Sequence, residues 1–329
     1  MRDGIALTAF TERGRELASK LAEALDGTLR DSGQPLADWT RESFPSCNAL
    51  IFVGAVGITV RSIAPYIRSK AADPAVICMD ERGNWVIPIL SGHLGGANAL
   101  ARQVAALTGG EAVITTATDL NDRFAVDLWA KKQGMAVLQP ERIKLVSSKI
   151  LRGEELTIDC PYPVSGDVPE LVRLATPGDV LVSYRTEKTD SLQLVPRVLT
   201  LGIGCRRGTG ADTLEGVFRQ FCAERGICPE AVSGAASIDL KRDEAGLLRF
   251  CESHGWPAAF YSAEALRGSE GDFTASAFVE ATVGVDNVCE RAAVLASGWK
   301  LVEQKYARDG VTFAAAERYV NYDWSWQDD

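Results

Sequence analysis

The chain has 329 residues, 46% hydrophobic and 24% charged, which is the globular composition of two or three domains and excludes a disordered chain. Its 35 basic residues against 44 acidic ones leave a net charge of −9, which argues against a nucleic-acid or anionic-membrane surface as partner. Eight Cys without a CxxC pair read as reduced thiols of a cytoplasmic protein, and neither a membrane-length apolar run nor a signal-peptide layout is present.

Ile5 to Phe10 reads as a strand, followed by Thr11 as an N-cap and a helix with Leu17, Leu21, Ala24 and Leu25 on one face. Ala49 to Val53 is a second strand that ends at Gly54, with a helical pattern beyond it. Ala75 to Met79 and Trp85 to Leu90 are further strands, and a helix carries Leu94, Ala97, Leu100, Ala101, Val104 and Ala105. Val113-Ile114 reads as another strand and Phe124 to Lys132 as another helix. This alternation predicts an α/β fold, a mostly parallel sheet with helices on both faces. Six of 13 prolines fall between residues 140 and 196, where periodicity is weak. Short strands such as Leu156 to Asp159 and Val180 to Tyr184 suit a small connecting region there. A third block opens with a strand at Val198 to Ile203, and helices follow through Leu214 to Phe221, Asp243 to Cys251 and Asn287 to Leu295. Asp309-Gly310 between two apolar runs signals a hairpin. The acidic tail with Trp324 and Trp326 reads as peripheral. The resulting boundaries are 1–135, 136–196 and 197–329.

Four segments are placed to carry chemistry. Gly54-Ala55-Val56-Gly57 followed by Arg61 sits at a strand-to-helix turn. Its glycines admit a ligand close to the backbone, or else make a tight turn, and Arg61 could hold a carboxylate. Ser91-Gly92-His93-Leu94-Gly95-Gly96-Ala97-Asn98 also lies between a strand and a helix. Only two His occur, His93 and His254, so a multi-His metal site is excluded and any imidazole catalyst is one of the pair. His93 stands in that mouth, as a catalyst or as a capping residue. Thr115-Thr116-Ala117-Thr118-Asp119 follows a third strand and offers hydroxyls and a carboxylate, or an N-cap set. All three follow strands, and in an open α/β sheet the carboxyl edge is where ligands bind. The fourth segment is Gly202-Ile203-Gly204-Cys205-Arg206-Arg207-Gly208. Its spacing is not that of a dinucleotide loop, and the two arginines suit a carboxylate-rich ligand. Cys205 is either a nucleophile with lowered pKa or a packing and ligand-contact residue. Lys241 and Glu244 read as a solvated helix start. No Walker A, HExxH or GxSxG pattern occurs.

Together GAVGITVRSIAP (54–65), DPAVICMDERGNWVIPILSGHLGGANALA (73–101), ITTATD (114–119), LGIGCRRG (201–208) and SIDLKRDEAGL (237–247) resemble the cobalt-precorrin-5A hydrolase family of anaerobic cobalamin (vitamin B12) biosynthesis. The likeness covers the first and third blocks and leaves the middle poorly matched. It implies two three-layer α/β/α domains joined by a small middle region. It also implies a hydrolase that opens the δ-lactone of cobalt-precorrin-5A and releases the extruded carbon as acetaldehyde, giving cobalt-precorrin-5B. No organic cofactor or protein-bound metal is demanded, because cobalt arrives within the tetrapyrrole substrate. Neighbouring pathway enzymes are the protein partners it suggests, and the oligomeric state stays open. On residue chemistry, His93 or Asp119 is the water-activating base. Backbone N–H groups around Gly92, Gly95 and Gly96, with the hydroxyls of Ser91, Thr116 and Thr118, are the oxyanion donors, with Asn98 beside them. Gly54, Gly57, Arg61, Gly204, Cys205, Arg206 and Arg207 are expected to contact substrate. Two other classes compete: a non-catalytic tetrapyrrole carrier, and a nucleotide-dependent α/β enzyme, which the missing phosphate loops disfavour.

Overall fold

The structure is a computed structural model describing residues 4–69, 72–93, 95–116 and 123–326. The described residues fall into two units, one within Met1–Lys131, Pro140–Glu155 and Ser325–Asp329, the other comprising Lys132–Gln139 and Leu156–Trp324.

In the first unit β1 (Ile5–Ala9) leads into α1 (Glu12–Ala24), where the Thr11 side chain accepts the Gly14 N–H at 3.0 Å and Glu12 stands in the first turn. The chain continues through β2 (Thr28–Leu29), α2 (Leu36–Ser46), β3 (Ala49–Val53) and α3 (Val56–Ile63). Then come β4 (Ala75–Met79), β5 (Trp85–Leu90), α4 (Ala97–Thr108), β6 (Glu111–Ala112) and α5 (Val126–Lys132). The sheet order is β2-β1-β3-β4-β5-β6. One face packs Leu7, Ile51, Val53, Ile77 and Met79 against α1 and α4. The other packs Leu50, Phe52, Val76 and Cys78 against Trp39, Phe44 and Ile63 of α2 and α3. The period-2 alternation of side chains thus serves two helical layers, as an α/β/α domain requires.

One direction in this sheet differs from the alternation expected of the sequence. No helix separates β4 from β5, and the turn between them is too short for a parallel crossover, so the two strands run antiparallel. Asp80 ties that turn, its carboxylate accepting the N–H groups of Arg82 at 2.8 Å and Trp85 at 2.7 Å. The last strand also lies two residues earlier than the Val113-Ile114 expectation. The Val86 carbonyl faces β6 and accepts the Val113 N–H at 2.8 Å. Two residues on, Pro88 faces the same neighbour without an N–H to donate, and the ladder stops.

The second unit carries two larger sheets. The first contains β7 (Ala136–Val137), β8 (Leu156–Asp159), β10 (Val172–Leu174), β11 (Val180–Val182) and β12 (Leu192–Val195) in the order β10-β8-β11-β12-β7, parallel except for β7. The helix α6 (Ile143–Leu151), between β7 and β8, belongs to the first unit. A small ribbon pairs β9 (Val164–Ser165) with β18 (Tyr322–Asp323), and Trp324 beside it is buried. Trp324 of the tail is therefore not peripheral, since its side chain is buried beside that ribbon.

The last sheet holds β13 (Leu199–Cys205), β14 (Val232–Ile238), β15 (Ala258–Tyr261), β16 (Lys300–Arg308) and β17 (Val311–Glu317), ordered β15-β14-β13-β17-β16. Helices α7 (Ala211–Arg225) and α8 (Ala245–His254) cover one face through Phe218, Phe221 and Phe250. α9 (Ala263–Arg267), α10 (Ala277–Val283) and α11 (Cys289–Ser297) lie on the other. A Cβ at Gly202 would overlap the Cys289 carbonyl, so glycine lets α11 rest on the β13 backbone. The β16–β17 hairpin turns at Asp309 and Gly310 with φ of 49° and 77°, as Asp-Gly predicts. Both outer domains are thus three-layered.

Candidate functional sites

The loop after β5 is built from its own backbone. Ser91 adopts φ 59°, its carbonyl accepts the Ala97 N–H at 3.1 Å, and the Gly92 carbonyl accepts the Asn98 N–H at 3.0 Å. A Cβ on Gly95 would overlap the Ser91 side chain, and Gly96 sits at φ 85°, donating its N–H to the His93 carbonyl at 2.9 Å. These glycines are demands of geometry. The Ser91 hydroxyl donates to the Asp73 carbonyl at 3.2 Å and Asn98 donates to the Thr116 hydroxyl at 2.8 Å. The segments beginning at Ser91 and at Thr115 therefore meet, as their sequence positions suggested. Thr118 and Asp119 lie outside the described residues.

His93 is paired in a way the sequence did not reveal. Its Nδ1 lies 3.1 Å from the Asp127 carboxylate in the first turn of α5, and both side chains are largely enclosed, at 13% and 9% exposure. Lys131, one turn further on, reaches the His93 carbonyl at 3.5 Å. The only signal for Asp127 was an acidic residue at a helix start, which ordinarily means favourable dipole charge and nothing more.

The segment after β3 does not share this edge. Val53, Met79 and Val86 stand side by side at one end of the sheet, while Ala49, Ala75 and, through Val76, Leu90 mark the other. The reversed β5 therefore delivers Ser91 to the end opposite Gly54. Gly54 donates its N–H to Met79 at 2.8 Å and has no room for a Cβ beside Phe10. The exposed Arg61 folds back along α3 to the Gly57 carbonyl at 3.3 Å.

In the second unit Gly204, Cys205, Arg206 and Arg207 open onto a cavity of about 750 Å³ at the carboxyl ends of β13 and β14. A Cβ on Gly204 would overlap the Thr312 hydroxyl, which donates to the Gly204 carbonyl at 3.3 Å. Lys305 and Arg308 also line the cavity and were missed, since a lone cation on a strand has no distinguishing spacing, and Lys241 joins them. Lys241 and Glu244 are not a solvated helix start. Glu244 is buried, its carboxylate accepting the Gly208 N–H at 2.7 Å and pairing with Lys241 at 3.1 Å. Burial pushes that carboxyl up, but the Gly208 N–H and the Lys241 ammonium outweigh it and hold it below the usual carboxylate range. Burial pushes the Cys205 thiol up despite Lys241 nearby, the opposite of the lowered pKa that a thiolate nucleophile needs.

His254 is packed and paired within the second unit. Its Nε2 meets Glu215 at 2.7 Å, and its ring stacks on Trp256 with centroids 4.1 Å apart. Among the described residues no group of three or more His, Cys, Asp or Glu is placed to hold a metal, and no helix is long and apolar enough to cross a membrane.

Residues 38–119 match the family model Cobalamin synthesis G N-terminal, and residues 199–316 match Cobalamin synthesis G C-terminus. A protein of Salmonella typhimurium strain LT2 named cobalt-precorrin-5A hydrolase is 36% identical over 94% of this chain and 96% of its own length. A Priestia megaterium protein of the same name is 32% identical over 83% of this chain and 79% of its own. The crystal structure of CobE, a protein from the cobalamin biosynthetic pathway, is 31% identical over 37% of this chain and 91% of its own, with a TM-score of 0.35. Two family models in order and relatives aligned over most of their length bear out the resemblance read from the motifs: the chain belongs to the cobalt-precorrin-5A hydrolase family.

Proposed function

We propose that this enzyme opens the δ-lactone of cobalt-precorrin-5A and releases acetaldehyde to give cobalt-precorrin-5B. The observation that carries the catalytic assignment is the Asp127 carboxylate at 3.1 Å from His93 Nδ1. A proton on Nδ1, held by Asp127, leaves Nε2 as the basic nitrogen. Nε2 takes a proton from water as that water attacks the lactone carbonyl. The N–H groups of Gly92 and Gly95 have no acceptor among the described residues, and they and the Thr116 hydroxyl are the oxyanion donors. The Ser91 hydroxyl proton is already engaged by Asp73. Lactone opening frees an alkoxide on the extruded carbon. Its collapse to the aldehyde breaks the C–C bond, and the conjugated macrocycle receives the electron pair.

No resident cofactor is part of this reading, cobalt entering with the substrate. Free thiols at all eight Cys fit work in the reducing cytoplasm. The carrier reading is not favoured, since both aligned relatives bear an enzyme's name. Anaerobic incubation with cobalt-precorrin-5A and trapping of acetaldehyde tests the proposal. Intact lactone after prolonged incubation overturns it.

A further inference from the structure

We infer that the cavity of the second unit binds an amphipathic, polycarboxylated ring, with Arg206 and Lys305 as its carboxylate anchors; the choice of ring rests on the tetrapyrrole reading above. The volume of about 750 Å³ falls within the roughly 300–1,000 Å³ of small-molecule sites. Five cations and a single carboxylate, Asp309, line it. Three of the five are already paired: Lys241 with Glu244 at 3.1 Å, Arg207 with Asp243 at 3.5 Å and Arg308 with Glu224 at 3.2 Å. Arg206 and Lys305 have no carboxylate partner among the described residues. The Arg206 N–H is fixed to the Gly310 carbonyl at 3.1 Å, and the Lys305 N–H to buried Glu290 at 2.6 Å, so both anchors stand on secured backbone. Val279 and Val283, one turn apart on α10, join Ile238 to give an apolar wall.

This combination fits a ring whose faces are apolar and whose edges carry carboxylates. A nucleotide fits poorly. The loop between β13 and α7, where phosphate would seat, has its Gly208 N–H occupied by the Glu244 carboxylate, which would repel phosphate.

Titration of the full chain with uroporphyrin, a metal-free octacarboxylated porphyrin, followed by tryptophan quenching, tests the site. Saturable binding is expected, weakened about tenfold by Arg206→Gln and again by Lys305→Gln, as loss of a charge-assisted contact predicts. Arg41→Gln, an equal charge change on α2, leaves the affinity unchanged, and excess ATP does not displace the porphyrin. Equal weakening by all three substitutions, or displacement by ATP, overturns the inference. Acetaldehyde release by the same preparations separates the two readings. Turnover with porphyrin binding indifferent to Arg206 and Lys305 defeats the cavity assignment alone. Charge-dependent binding without turnover defeats the hydrolase reading and leaves the cavity assignment standing.

Discussion

Nδ1 of His93 and Oδ2 of Asp127 lie 3.1 Å apart although 34 residues separate them in the chain. A glycine-rich loop holds one partner and the first turn of a helix holds the other, so the imidazole is oriented before any ligand arrives. His93→Ala is expected to lower kcat for acetaldehyde release roughly 10²–10⁴-fold, the usual range for a lost acid–base group. Asp127→Asn should lower kcat about tenfold to a hundredfold, leave KM nearly unchanged and shift the pH profile, because it disturbs which nitrogen is protonated. Steady-state kinetics across pH checks both, and full activity in His93→Ala would assign the base elsewhere.

Glu290 is fully buried and accepts from the Thr274 N–H at 2.6 Å, the Thr274 hydroxyl at 2.9 Å, Asn287 at 2.9 Å and the Lys305 N–H at 2.6 Å. One carboxylate thus ties the segment before α10, the start of α11 and β16. Glu290→Ala strands several buried donors and should cost about 3 kcal/mol or more in urea unfolding. Hydrogen exchange should accelerate first around Thr274 and Lys305.

Gly202→Ala should destabilise by about 1–3 kcal/mol, the cost of overpacking a close contact. The new methyl meets the Cys289 carbonyl and comes within 2.9 Å of the Ala293 side chain, so α11 must lift from the sheet. A melting temperature equal to the parent's would show that the helix moves freely.

Glu244 makes stability depend on acid. Its folded carboxyl titrates below its ordinary value, so its contribution is complete above that value and is lost as pH falls through the folded one. Urea midpoints should therefore fall between neutral pH and the lower carboxylate range, and the fall should be smaller in Glu244→Gln. An identical acid dependence in the variant would place the effect on other carboxylates.

His254→Asn should leave turnover unchanged and lower stability by about 1–2 kcal/mol, since it removes the Glu215 hydrogen bond and the Trp256 stack. A loss of kcat comparable to that of His93→Ala would show a role beyond packing.

Most of the elements were legible in the sequence because they depend on local pattern. Helical spacing at Leu17 and Leu21, the apolar run Ala49–Val53 and the Asp309-Gly310 turn each express a preference of neighbouring residues. The five motifs likewise carried the family. The candidate sites were legible only in part. The Ser91–Asn98 loop and the Thr115–Thr116 segment do meet, through Asn98 and Thr116. Gly54 and Gly57 do not join them, because a hairpin at Asp80 reverses β5.

Sequence alone thus determined composition class, most strands and helices, the glycines demanded by turns, and the family. Tertiary structure decided that Asp127 serves His93, that Glu244 and Glu290 are interior charges, and that Lys305 faces the same cavity as Arg206. The division has a physical cause. Turn and periodicity preferences act within a few residues, whereas strand direction, burial of a charge and the partner of an imidazole are settled by contacts between segments far apart in the chain.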